Sequence, residues 1–289
     1  METEAHRPTI AVVALTTGNR PADLERMARS FDAHRLNERV IVANGCSPPE
    51  LGGWDVVSSP RNLGVPGGRS LAMRETTSEI ILFVDDDSSA VSPNLVEEAV
   101  KRFASDPKLG ALALRVVIRD RASSLKRWVP AHAPVGPDGL ADAATFPGNG
   151  HLVRRAAVES VGGWMDELFF KHEETELVWR LLDAGWNVRY DPSLVVDHPA
   201  TTETRHEAAN RQSLRNKLWI ARTRLPWGMR ELAVATAVLR HLGRCRSWAQ
   251  AKAVWLASIE GLAPNGVDRS PISWRTVVLI SRRGRPPVL

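Results

Sequence analysis

Short apolar runs alternate with helix-spaced segments along the first 120 residues. "TIAVVAL" (9–15), closed by Thr-Gly-Asn, predicts a buried strand. In "PADLERMARSFDAH" (21–34), Leu24, Met27, Ala28 and Phe31 recur at the spacing of one helical face. "RVIVANG" (39–45), "WDVVSSP" (54–60) and "EIILFV" (79–84) predict three further strands. Between the last two, "NLGVPGGRS" (62–70) reads as a glycine-rich loop opening a helix that runs to about Thr77. "SPNLVEEAVKRFASDP" (92–107) predicts a helix with Ser92 as N-cap and Pro93 just inside it, and "LGALALRVVI" (109–118) a strand. Strand and helix in this alternation predict a parallel α/β sheet with right-handed crossovers, which places ligands at the carboxyl ends of the strands.

The pattern then loosens. Residues 119–147 contain the proline-rich "VPAHAPVGPDG", and a loop of that length is expected to be a lid or a binding loop. "GNGHLVRRAAVESVGGW" (148–164) predicts a strand and a short helix, and "HEETELVWRLLDAGW" (172–186) a helix closed by Gly185 as C-cap. "NVRYDPSLVVDHPA" (187–200) is extended, and 205–224, 228–243 and 247–260 read as helices. The organisation that follows is an α/β unit over 1–204, divided at 118/119, and a helical region over 205–289.

Composition narrows the setting. The 289 residues are 43% hydrophobic and 25% charged, as in ordinary globular chains. Two cysteines, Cys46 and Cys245, are too few for a disulfide framework and fit a reducing compartment. No apolar run reaches the ~18 residues of a membrane span. The acidic start "METEAHRPTI" has no apolar signal core, so a cytoplasmic protein is expected. Charge is uneven: residues 1–199 hold 22 Lys+Arg against 28 Asp+Glu, whereas 200–289 hold 16 against 5. No basic-aromatic nucleic-acid motif accompanies this excess, which argues against nucleic acid. The basic, Trp-bearing C-terminal part suits an anionic membrane face, contacted peripherally at its inner side, or an anionic substrate, or is a solvated helical face; its helices are expected to pack on the α/β unit with weak membrane contact. Monomer and homodimer are both open.

The chemistry concentrates where strand 79–84 meets Asp85, Asp86 and Asp87. Adjacent carboxylates raise one another's pKa, a cost that a divalent cation removes. Hard carboxylate oxygens suit Mg²⁺ or Mn²⁺, commonly shared with substrate phosphates; the bland alternative is an acidic turn. "NLGVPGGRS" offers unshielded backbone N–H groups, and Arg69 can meet phosphate or carboxylate. The start of "HEETE" reads either as an acidic helix N-terminus favoured by the macrodipole or as a tuned cluster containing a catalytic base.

The ordered set "NLGVPGGRS", "LFVDDDS", "GNGHLVRR…VGGW", "LFFKHEETELVWRLLDAGW" and "VVDHP" resembles the inverting family 2 glycosyltransferases of GT-A fold, and within them the bacterial rhamnosyltransferase-like branch. The resemblance covers about residues 8–200. It implies an α/β GT-A fold: a mostly parallel Rossmann-like sheet with flanking helices, here with a C-terminal helical extension. It implies a nucleoside-diphosphate sugar donor, a hydroxyl-bearing acceptor and a divalent cation, Mg²⁺ or Mn²⁺, held by Asp85 and Asp87 with His198 completing the shell. The family's Glu-Asp motif falls on Glu173-Glu174, which makes Glu174 the acceptor's base and Glu173 the runner-up. Arg180 is expected to form a salt bridge in the core. Gly150, His151, Trp164 and His172 fall where the family lines the sugar or acceptor pocket. The nucleotide end departs from the pattern, because "VANGC" puts Ala43 where an acid is common. Donor binding is then expected from Thr16, Arg20, Asn44, Asn62, Gly64, Gly67, Gly68 and Arg69 with Asp85 and Asp86, and uridine, thymidine and guanosine all stay open. A nucleotidyltransferase and a non-catalytic sugar-nucleotide or glycan-binding module are the rival readings.

Overall fold

Strands Ile10–Thr16 (β1), Glu38–Asn44 (β2), Asp55–Ser59 (β3) and Ile80–Asp85 (β4) form one parallel block in the order β3-β2-β1-β4. Their alternation feeds two cores: Val13, Val42 and Phe83 face one side of the sheet, and Val12, Ile41 and Leu82 the other. The first side is covered by helix α2 (Gly64–Glu75), and the second by α1 (Pro21–Arg29), through Leu24 and Met27. The computed structural model describes residues 6–130, 134–199 and 206–288. The middle of the proline-rich stretch and the boundary at 204 lie outside the described residues.

The second block breaks the parallel rule. After Ser89–Ala90 (β5), helix α3 (Leu95–Ser105) and Leu109–Ile118 (β6), the chain makes Ala141–Asp142 (β7) and enters His151–Arg154 (β8) between β4 and β6. It enters from the carboxyl edge, so β8 is antiparallel to both neighbours and the sheet is mixed. That reversal carries Gly148 and Asn149 to the edge where β4 ends. Helices α4 (Arg155–Ser160) and α5 (Glu173–Asp183) follow, and Asn187–His198 (β9) runs parallel to β6 and antiparallel to β5 and β7.

Some expectations shift in detail. Ser92 does not cap α3, because its hydroxyl accepts from Val195 N at 2.9 Å and so ties β9; Asn94 takes the cap position. Gly185 lies one residue past the cap of α5, at φ +84°, a conformation open to glycine at little strain.

The C-terminal helices are α6 (His206–Arg224), α7 (Met229–Leu242), α8 (Trp248–Leu262) and α9 (Trp274–Arg282), the last unassigned by the pattern. Ile220 and Ala221 of α6 and Val277 and Ile280 of α9 are buried in the same core as α5 and the strands. A buried ion triad fastens this junction. Glu176 is fully buried and accepts from Arg180 Nε at 2.7 Å and from Arg224 Nε at 2.6 Å.

Candidate active site

The carboxyl ends of β1, β2 and β4, the Gly148–Asn149 turn and the start of α5 border an open cleft of about 1080 Å³. Its acidic corner follows from strand register. Leu15 pairs with Asp85 across β1 and β4, so Asp85 leaves the sheet beside Thr16. Asn149 Oδ1 accepts the Asp85 N–H at 2.9 Å and fixes the turn that follows. His198, at the end of β9, places Nε2 at 3.3 Å from both Asp85 Oδ2 and Asp87 Oδ1. Its Nδ1 donates to the Pro199 carbonyl at 2.8 Å, which leaves Nε2 to face the aspartates. Burial lowers the imidazole's proton affinity, but the Asp85 hydrogen bond and both carboxylate charges outweigh it and raise the pKa.

The corner fits a divalent cation. Asp85, Asp87 and His198 each offer a ligand atom, all within 4.8 Å of one another. Asp87 Oδ1 is buried with no hydrogen-bond donor among the described residues. Burial, with Asp85 alongside, raises the Asp87 pKa against the pull of His198. Two hard oxygens and one imidazole with its free nitrogen turned inward form a donor set for Mg²⁺ or Mn²⁺. Asp86 stands apart from it. It accepts from Thr16 Oγ1 at 2.7 Å, and burial pushes its pKa up to about 6 in spite of that bond. Arg20 spans the two, pairing with Asp87 and lying 3.6 Å from Asp86.

A second carboxylate cluster lines the same cleft. Arg69 is buried, with Nη1 at 3.5 Å from Glu173 Oε1 and 3.6 Å from Glu174 Oε1, and Nη2 donating to the Gly148 carbonyl at 2.6 Å. Its guanidinium lies 4.8 Å from the centroid of Trp164, which fixes its plane. Burial, reinforced by the Glu173 charge, raises the Glu174 pKa well above the ordinary carboxylate range, and Arg69 only partly opposes this. Gly148 is required here: a Cβ would come within 2.5 Å of Glu174 Oε1.

The glycine-rich stretch works differently from the expectation. It forms the first turn of α2, and its N–H groups are spent inside the protein. Leu63 N donates to Asn44 Oδ1 and Gly64 N to Asn62 Oδ1, both at 2.8 Å, and Val65 N donates to the Phe169 carbonyl at 2.7 Å. Gly64, at φ +74°, lets Phe169 approach, Gly67 leaves room for the side chain of Leu63 at the helix's own cap, and Gly68 lets α2 pack on Leu15 of β1. Asn44 and Asn62 thus act as turn anchors at the cleft wall.

Three residues expected in the sugar or acceptor pocket lie behind the cleft instead. Gly150 is buried against Val196, and Trp164 is buried beneath Arg69. His151 is fully buried and stacks on Phe146 at 4.3 Å; alternation along β8 turns it into the core. Its ring nitrogens lie toward the carbonyls of Pro147 and Gly148 without a hydrogen bond of ordinary geometry, and burial lowers its pKa far below the usual value. His172 does line the cleft and takes the N-cap position of α5, its Nε2 turned to Ser213 Oγ at 2.8 Å. Burial, with Lys217 and Lys171 nearby, pushes its pKa down to about 3, so it is neutral.

Sequence reasoning passed over several contributors. Asn149 was the most accessible, as a polar residue between two glycines. Arg26 and Arg119 both donate to the Asp87 carbonyl, and Trp128 stands edge-on to His198 at 5.3 Å. Phe169 and Phe170 also line the cleft, 41% and 38% exposed. They belong to a segment in which Phe169, Lys171 and His172 all have φ between 60° and 73°. Asn216 of α6 holds that segment, its Nδ2 within 2.8–2.9 Å of the carbonyls of Leu168, Phe170 and Lys171.

Residues 80–277 match the family model described as "Glycosyl transferase family group 2". The chain is 26% identical over 221 residues to a pre-mycofactocin glycosyltransferase of Mycobacterium tuberculosis, a match covering 70% of this chain and 44% of that protein. It thus spans less than half the length of this relative. Among solved structures it resembles GalNAc-T7 with UDP, GalNAc and Mn²⁺, at TM-score 0.67 and 12% identity over 87% of this chain and 55% of the other. It also resembles the mannosyltransferase PcManGT of Pyrobaculum calidifontis in complex with GDP-Man and Mn²⁺, at TM-score 0.55 and 16% identity over 96% and 79%. These neighbours share the GT-A fold.

Proposed function

Because the chain belongs to glycosyl transferase family group 2, we propose that it moves a sugar from a nucleoside-diphosphate sugar to an acceptor hydroxyl with inversion at the anomeric carbon. The observation that carries this reading is the presence in one cleft of two acidic clusters with different electrostatics. One is a corner suited to a cation; the other is a carboxylate pair clamped by Arg69.

Asp85, Asp87 and His198 would hold Mg²⁺ or Mn²⁺, which when bound neutralises charge on the departing diphosphate. Solved neighbours of this fold with Mn²⁺ and UDP or GDP-mannose support that assignment. Arg20 lies beside the corner and adds positive charge where the diphosphate would sit. Glu174 takes the acceptor's proton, and its raised pKa makes it a stronger base than an exposed carboxylate. As the acceptor oxygen bonds to the anomeric carbon, the bond from that carbon to the phosphate oxygen breaks and its electron pair leaves with the diphosphate. Arg69 keeps Glu174 aimed into the cleft. For the sugar, the motif order favours the rhamnosyltransferase-like branch; for the acceptor, a polysaccharide, a lipid-linked glycan and a natural product share the same hydroxyl chemistry.

The test is a thermal-shift screen of nucleoside diphosphates with and without Mn²⁺, followed by donor turnover. A ligand at 100 times its Kd stabilises the folded state by about 2.7 kcal/mol. The expected result is a shift that needs both nucleotide and Mn²⁺ and is lost in Asp87→Asn. Release of nucleoside diphosphate should fall by about 10²–10⁴-fold in Glu174→Gln while the shift stays. Mn²⁺-dependent binding without turnover on any acceptor would favour the non-catalytic module. A shift indifferent to metal and to Asp87 would overturn the cation corner.

A further inference from the structure

Helices α7 and α8 are built inside out. Both lie on α6, and the residues they bury fully are small: Ala233 and Ala237 from α7, and Ala257, Ser258 and Gly261 from α8, with Val234, Val238 and Val254 packed half-buried beside them. Gly261 comes so close to α6 that a Cβ would sit 2.7 Å from Leu218 Cβ. The tryptophans of α8 and most of the leucines and isoleucines of both helices face outward. On α8, Trp248 is 92% exposed and Trp255 66%, and Ile259 and Leu262 continue the stripe. These positions, with Lys252 between the tryptophans, follow the i, i+4, i+7, i+11, i+14 spacing of one helical face. On α7, Leu232 and Leu239 are likewise exposed. Folding alone would place the bulk inward, since burial of large side chains is what stabilises a helix on its neighbours.

Basic residues accompany this face. Arg244, Arg246 and Lys252 have no side-chain ion pair or hydrogen bond among the described residues. The region from residue 200 carries 16 Lys+Arg against 5 Asp+Glu. Two copies meeting through this face would bring like charges together, whereas an anionic surface complements both the charge and the apolar stripe. No helix among the described residues is long and apolar enough to cross a membrane, so the geometry is that of lying on a bilayer. Tryptophan prefers the headgroup level, and a lysine within the stripe can extend its amine to phosphates.

We propose that the outer faces of α7 and α8 dock the protein on an anionic lipid bilayer, with Trp248 and Trp255 entering the headgroup layer and Arg244, Arg246 and Lys252 meeting lipid phosphates. This stands apart from the sugar-transfer reading and survives its failure. The experiment is flotation of the full chain with phosphatidylglycerol-containing vesicles and with pure phosphatidylcholine vesicles, at low and high salt. The expected result is binding to the anionic vesicles that falls with salt. A basic residue near such a surface contributes about fivefold, so the R244Q/R246Q/K252Q variant should bind roughly 100-fold more weakly. The W248A/W255A variant should lose about tenfold or more, and bromolipid quenching of tryptophan fluorescence should drop with it. Both variants alter exposed side chains, and unchanged melting temperatures would establish that they fold. Failure of the wild-type chain to float with anionic vesicles at low salt overturns the proposal. So does flotation that neither variant weakens. A wild-type dimer in sedimentation that W248A/W255A splits, without vesicle binding, would give the face to a second copy and equally overturn it.

Discussion

Glu174 is a largely buried carboxylate set beside a second carboxylate. It shares Arg69 with Glu173, and one guanidinium does not neutralise two carboxylates in a buried setting. Its pKa is raised above the unfolded value, so between the two values the folded chain holds a proton there that the unfolded chain has released, and above the raised value the carboxylate is free to act as a base. The resulting stability is complete below the ordinary carboxylate pKa of about 4.3 and is lost as pH rises through the raised value. Glu174→Gln should therefore melt with the wild type near pH 4 and above it at pH 8. The gain should be roughly 2–4 °C for each kcal/mol relieved. Thermal melts of both proteins across that range check it; a variant that melts lower at pH 8 would show that Arg69 dominates. The aspartate triplet and the glutamate pair were legible in the sequence because charge directly after an apolar run, or at a helix start, asks for an explanation. The glycine stretch was legible as a tight turn but not in its use. Its N–H groups are taken by Asn44, Asn62 and Phe169, and the last lies more than a hundred residues along the chain. His151 was misplaced because a histidine at the head of a strand can face the cleft or the core, and only the register of β8 decides.

At the scale of elements, α6 is a strut for the cleft wall. The segment it supports has three non-glycine residues in the left-handed region, each of which costs on the order of 1–3 kcal/mol. Asn216 offsets that cost by satisfying three carbonyls, His172 Nε2 lies 2.8 Å from Ser213 Oγ, and Glu173 follows directly. Asn216→Ala should lower stability by about 1–3 kcal/mol and turnover by about tenfold, with donor binding retained. Asn216→Asp should do more harm than Ala, since it turns an acceptor toward three carbonyl oxygens. Urea denaturation and steady-state kinetics of the two variants check the order, and equal effects would reduce Asn216 to packing. Periodicity predicted α6 over nearly its observed span, yet its function stayed hidden because an asparagine's partners across some 45 residues leave no local pattern. Helix α9 went unassigned for a related reason: its nine residues present only a short apolar face, and its capping serine follows a proline-bearing stretch.

Across the whole molecule, one face of the sheet shares its core with α5, α6 and α9, while α8 packs on the far side of α6. Ile272, Val277 and Ile280 are buried with Leu177 and Leu181 of α5, and Arg224 reaches across to Glu176. Unfolding should therefore be a single cooperative step, in which far-ultraviolet circular dichroism and tryptophan fluorescence give the same urea midpoint. Two separated midpoints would mean that the helical region unfolds as its own unit. The sequence division at 204 marked a change of composition and charge, while the packing that joins the two sides is a long-range matter invisible to pattern. Strand β9 shows how far such matters reach. It is the shared neighbour of β5, β6 and β7, and it delivers the imidazole that faces Asp85 and Asp87. A nascent polypeptide that has emerged only to Trp186 therefore owns both acids but neither the closing ribbon of the sheet nor its histidine. Translation order defers assembly of the Asp85–Asp87–His198 corner until the scaffold around it has been sewn shut.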